Sequence, residues 1–145
     1  MRLKLLVAGL LGVFLLVCGL QPDGLPFAPG AAFSDSAVAH YPAAVNLQRS
    51  VRVDGQAPLW WELNMAGQPF AANPLNKTAY PLQWVGLLFD PVLFLSGMAV
   101  LHLALAGWGM WRWSRQLGLG REGALVSALA WMLAPRLLTG LGAGH

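Results

Sequence analysis

Charge is scarce in this sequence. Of its 145 residues only 10% are Asp, Glu, Lys or Arg, against 57% that are hydrophobic. Soluble domains carry about 25% charged residues, so there is too little polar surface here to wet a globular body on every side. The formal net charge of +3 is small and dispersed, and no basic cluster is interleaved with aromatics, which argues against nucleic acid as a partner. Cysteine is limited to Cys18, so no disulfide can form within the chain. Order must come from packing or from a membrane. Leu15-Leu16-Val17-Cys18 has the outline of a lipoprotein cleavage site, but Val17 is too bulky for the position before the cysteine, and lipidation is not expected.

Long apolar runs are what the chain does have. Arg2 and Lys4 precede an uninterrupted apolar stretch from Leu5 to Leu20. As a helix it rises about 24 Å, slightly short of the ~30 Å hydrocarbon core, with Leu3 and a snorkelling Lys4 making up the difference. A cleaved signal peptide is the alternative, but Gln21-Pro22-Asp23-Gly24 offers no small-x-small site, so residues 1–20 are expected to be a retained first span. Residues 91–113 read as a second: between Val92 and Trp111 the only strongly polar side chain is His102. Trp108, Trp111 and Trp113 then gather beside Arg112 and Arg115, which places that end in the cytoplasm together with Arg2 and Lys4. Residues 114–122 form a cytoplasmic turn, and 123–145 a third span, interrupted by Pro135 and Arg136 and cut short at its Gly-rich end. The expected fold is therefore all-α and polytopic, a fragment with about three transmembrane helices.

Residues 21–90 fall on the outer side. They hold five acids against three bases, eight prolines and nine aromatics. So many aromatics argue for a folded loop containing short interfacial helices, not a disordered tether. Ser34 or Asp35 is a natural N-cap for a helical run through Val38, Tyr41, Val45, Leu47 and Val51, with Gly55 as its stop and Pro42 either kinking the helix or starting it later. Turns then alternate with aromatic anchors around Trp60-Trp61, followed by Lys77, Tyr80-Pro81 and an amphiphilic stretch to Phe89.

The order of these elements, "FSDSAVAHYP", then "PLWWELNMAGQPFAANP", then "YPLQW" before an apolar helix, resembles the N-terminal part of bacterial YfhO-like proteins and the wider GT-C class of membrane glycosyltransferases. The resemblance covers residues 5–145. It implies a transferase in a bacterial cytoplasmic membrane that takes a sugar from a polyprenyl-phosphate donor, with the remaining transmembrane helices of a longer protein completing the enzyme. It implies that Asp35, the position matching the class's acid in the first loop near the end of the first span, is the general base that takes the acceptor's hydroxyl proton. Class members often carry a second acid, sometimes with a metal; Asp35 is flanked by Ser34 and Ser36, so no cofactor is expected and a divalent metal stays open. Lys77, Arg52 and Arg136 are candidates for the donor phosphate, since cations near the bilayer surface attract it, and interfacial snorkelling is their plainer reading. His40, Tyr41 and Trp60 are candidate acceptor or sugar contacts, against a solvated helix face for the first two and membrane anchoring for the third. A helix cap is the plain reading of Asp35, and a bond to another helix that of His102. The competing function is a non-enzymatic membrane subunit, for assembly or transport, that binds a partner through the outer loop. A secreted loop domain with a cleaved leader is a third reading.

Overall fold

The computed structural model describes residues 34–137. The expected first span, residues 1–20, lies outside the described residues, as do 21–33 and 138–145.

The described chain is mostly helical. It opens on Ser34, whose Oγ accepts from the Ala37 N–H at 3.3 Å while its carbonyl accepts from Ala37 and Val38. The helix then runs as a π-helical turn, Ser36–His40, before continuing as α1, Tyr41–Arg52. Pro42 accounts for the change of register. It has no N–H to give to a carbonyl one turn back, and its ring crowds that carbonyl; widening the turn by one residue removes the clash. The Tyr41 N–H accordingly reaches back to the Ser36 carbonyl. Past α1 the chain reverses at Gly55, where φ is +64°, a conformation costly for residues with a Cβ.

Two short antiparallel strands follow, β1 (Trp60–Trp61) and β2 (Gln68–Pro69), with Trp60 opposite Pro69 and Trp61 opposite Gln68. Their pairing delivers Phe70, fully buried, onto Ala43 and Leu47 of α1, with Val51, Trp61 and Leu87 around it. Trp61 meets Phe70 edge to face, ring centroids 5.6 Å apart. Buried Asn76 fixes the chain behind this core by donating to the Phe70 carbonyl at 2.9 Å. A 3₁₀ helix, Pro81–Leu88, then leads to α2, Pro91–Gln116. Asp90 caps α2, accepting from Val92 N at 2.9 Å and Leu93 N at 3.3 Å, with Pro91 at the position where a missing N–H costs nothing. Gln48 of α1 ties these parts together: its Nε2 donates to the Gly86 and Phe89 carbonyls, each at 2.7 Å.

A turn at 117–120 reverses the chain into α3, Arg121–Met132, which packs antiparallel on α2. The contact is made by small side chains, Gly107 and Ser114 against Ala124 and Ala128, with Leu103 and Met132 closing its end. Gly107 makes room for Met132: a Cβ at that position would overlap Met132 Sδ unless the methionine side chain shifted.

Here the structure corrects the sequence reading. Among the described residues one helix, Pro91–Gln116, is long and apolar enough to cross a membrane, not the two that an arrangement of about three spans would place there. The expected third span stops at Met132 after 12 residues, about 18 Å of helix. Pro135 is the physical cause, because it lacks the N–H that would continue the ladder and drives Ala134 out of helical backbone. Residues 135–137 are helical again, after the break at 133–134.

Candidate functional site

Asp35 stands at the start of the π-helical turn and makes no capping bond to it; Ser34 does the capping. Asp35 and His40 are each engaged in other interactions. The turn Ser36–His40 packs against a second turn, Pro74–Asn76, and Lys77 is the next residue after it. The proposed base and one proposed phosphate ligand therefore sit on touching elements, although they are 42 positions apart in sequence.

Lys77 is unusual in two ways. Its backbone is left-handed, φ +55°, the closing residue of the 74–76 turn, where glycine or asparagine is the ordinary choice. Its side chain remains exposed, yet surrounding protein strips some of its water, and this burial pushes the ammonium below the usual lysine range.

Three residues later lies a pair that the sequence did not reveal. The Tyr80 hydroxyl is 2.8 Å from His102 Nε2, and His102 Nδ1 is 2.7 Å from the Met98 carbonyl. A carbonyl only accepts, so Nδ1 of the neutral ring carries the proton and Nε2 accepts from the tyrosine. The rings lie 5.8 Å apart. His102 thus bonds to Tyr80, in the segment that precedes α2, instead of to another long helix. The bond also fixes where the loop runs. His102 is about 17 Å along α2 from its start, and the eight residues of 81–88 climb about 16 Å back as a 3₁₀ helix. Segment 81–88 therefore lies antiparallel along the first half of α2, with Gly86 against the Phe94 ring. Its polar Gln83 is turned inward, while Trp84, Val85 and Leu88 face out. The Trp84 Nε1–H is satisfied by the Thr78 carbonyl at 2.9 Å.

The other sequence candidates are spread out. Arg52 is exposed at the far end of α1 from Asp35, about 25 Å away along the helix. Tyr41 is exposed on the first turn of α1. Trp60 lies on the hairpin, more than half exposed, next to a tip that carries Leu63 and Met65 at 77% and 85% exposure. Arg136 is exposed in the helical residues that follow the break after α3 and has its own interactions. Among the described residues no group of three His, Cys, Asp or Glu side chains could hold a metal ion. Signals for Tyr80 and His102 did exist separately, as a tyrosine before proline and a lone polar residue in an apolar helix; nothing local joined them.

No protein family, no curated protein and no solved structure matches the chain.

Proposed function

We propose that the chain seats in a membrane and serves sugar transfer from a polyprenyl-phosphate donor, with Asp35 as the base toward the acceptor and Lys77 toward the donor phosphate. The observation that carries the reading is the packing of the turn behind Asp35 on the turn before Lys77. It gives an acid and a cation next to two touching turns. A partly dehydrated ammonium would gain from a neighbouring anion, which favours the charged form that burial disfavours. Outward-facing apolar side chains on 81–88 and α2 suit contact with lipid. Arg52 is too far along α1 to act at the same point, and its plainer role as an interfacial cation is the better one.

The test is made with the full chain in its native membranes, supplied with radiolabelled polyprenyl-phosphate glucose or mannose. Asp35→Asn keeps the side chain's shape and an oxygen acceptor, so the variant is expected to stay folded, checked by a thermal melt, and to lower transfer by about 10²–10⁴-fold, the range for loss of a general base. Wild-type transfer by this variant would end the assignment. A second reading, a non-enzymatic subunit that holds a partner through its outer loop, is favoured by one observation, the bare apolar hairpin tip at Leu63 and Met65. It is supported if Leu63→Ser with Met65→Ser abolishes a specific co-purifying partner while sugar transfer is absent from wild type.

A further inference from the structure

At the far end of α2 from Asp90, Trp111, Arg112, Arg115 and Gln116 line an open groove of about 300 Å³. We infer that this groove is a binding site for the phosphate of an anionic phospholipid headgroup. The inference rests on α2 entering a bilayer, which belongs to the reading above, but not on sugar transfer.

The argument begins with helical spacing. Positions 111, 112, 115 and 116 share one face, and Trp108 lies on it one turn earlier. Leu103, Gly107 and Ser114, which meet α3, occupy a different face. The groove is therefore open beside the hairpin and not filled by it. Arg112 is set by its neighbour: its guanidinium stands 6.0 Å from the Trp108 ring centroid, within cation–π range. Arg115 is set by the turn, donating from Nη1 to the Leu119 carbonyl at 2.6 Å. That bond uses one of the five N–H donors of the guanidinium and leaves the rest for a ligand. It also covers a carbonyl close to the helix C-terminus, where the partial negative charge would otherwise oppose an anion. The two arginines, three apart on a helix, have Cβ atoms about 5–6 Å apart, so one tetrahedral phosphate can accept from both. Planar guanidinium groups favour phosphate oxygens in paired contacts. Gln116 adds an amide donor. Glu122, the nearest acid in sequence, lies beyond the 117–120 turn.

The source of the phosphate follows from level. The groove begins about 30 Å along α2 from its first residue, the thickness of the hydrocarbon core. Arg112 and Arg115 lie at that end, where the apolar run of the helix gives way to polar residues. Trp108, Trp111 and Trp113 surround them, the aromatic belt that marks this level. A basic pocket between apolar helix and water meets lipid phosphate before it meets any soluble anion.

The experiment uses the full chain in neutral detergent micelles, so its outcome does not require that the protein cross a bilayer. Phosphatidylglycerol and phosphatidylcholine are titrated in separately, and bound lipid is counted by native mass spectrometry. We expect phosphatidylglycerol to bind at least about tenfold more tightly than phosphatidylcholine, with the preference lost in Arg112→Gln/Arg115→Gln. Arg112→Gln alone spares the bond to Leu119 and should lose part of the preference without disturbing the turn. Inorganic phosphate at millimolar concentration should leave lipid binding unchanged. Equal binding of the two lipids by wild type, or an unchanged preference in the double variant, would overturn the proposal. Displacement by inorganic phosphate would overturn the lipid as source. Loss of sugar transfer on changing Asp35 is independent of each of these outcomes.

Discussion

Lys77 concentrates two local costs in one residue. A left-handed backbone costs an L-residue about 1–2 kcal/mol, and a partly dehydrated ammonium is disfavoured against its state in the unfolded chain. Lys77→Gly removes both and adds back some chain entropy in the unfolded state, so a net stabilisation of about 0.5–1 kcal/mol is expected, read by denaturant melts in detergent. The same variant should lose affinity for a polyprenyl monophosphate probe. A loss of stability would mean that the side chain contributes contacts outweighing the strain. The pH dependence has a definite sign. The folded-state pKa of Lys77 is lowered, so between that value and the ordinary 10.5 the unfolded chain holds more protons than the folded one. Stability contributed by this group therefore rises with pH through that window and is lowest below it. The difference between wild type and Lys77→Gly, measured from pH 8 to 11, should shrink as pH rises. A constant difference would assign the whole effect to the backbone.

Elements in this molecule are joined by a few long-range polar bonds and one close helix contact, and each can be weighed. If Tyr80 docks segment 81–88 along α2 through His102, a double-mutant cycle with Tyr80→Phe and His102→Leu should show a coupling of about 0.5–1.5 kcal/mol. A coupling near zero would mean that the segment is held by Gln48 and Gly86 alone. On the other side of α2, Gly107→Val should cost about 1–3 kcal/mol by overpacking, and Met132→Ala in the same chain should restore part of it. Additive losses would show that the hairpin is not in contact there. These are the features that sequence reading could not supply. The Ser34 start, the Gly55 stop and the body of α2 were readable because caps and apolar length are local signals. The cap at Asp90-Pro91 was equally local but hidden by counting Asp90 among the loop's acids. Tyr80 with His102 and Gln48 with Gly86 are partner choices across 22 and 38 residues, which no periodicity encodes. The early end of α3 was signalled by Pro135, and the error was to let hydropathy override the break. Of the candidate site, Asp35 and Lys77 were found as separate residues; their approach through two packed turns, and the separation of Arg52 from both, depend on the path of the chain.

Apart from the Phe70–Leu47 core and the Phe94, Leu103 and Met132 contacts, the described molecule buries small and polar side chains and leaves many large apolar ones exposed. Ser34, Ser36, Asn76, Gln83 and Ser114 are buried, while Leu88, Leu93, Leu105, Trp108, Trp113 and Val126 are exposed. Water would penalise this distribution and lipid would not, because helices in a bilayer associate through small residues and present their bulk outward. The consequence is sharpest at segment 81–88, which runs back along α2 and so follows it below the level of Asp90. From the Tyr80–His102 and Gly86–Phe94 contacts, Val85 lies near the level of residues 95–97 on α2, about 6–9 Å beyond the helix start. A 3₁₀ helix can enter lipid at that depth because its backbone groups bond internally from i to i+3. Its one indole N–H is already satisfied by the Thr78 carbonyl. The chain has a single cysteine, so a Cys18→Ser background accepts one label per position. A fluorophore on Val85→Cys in reconstituted vesicles should be blue-shifted and quenched by lipids brominated in the acyl chain. The same label on Val53→Cys, exposed between Arg52 and Asp54, should respond instead to a water-soluble quencher. If the label at 85 is quenched only from water, the first half of α2 stands outside the bilayer. The stretch from Leu103 to Gln116 would then remain, about 20 Å long and too short to cross. If it is quenched from lipid, α2 and segment 81–88 enter together as one packed pair; Tyr80, at the level of His102, is then about 17 Å beyond the helix start, so the turn that carries Lys77 lies below the headgroups and Lys77 is not the donor's phosphate ligand.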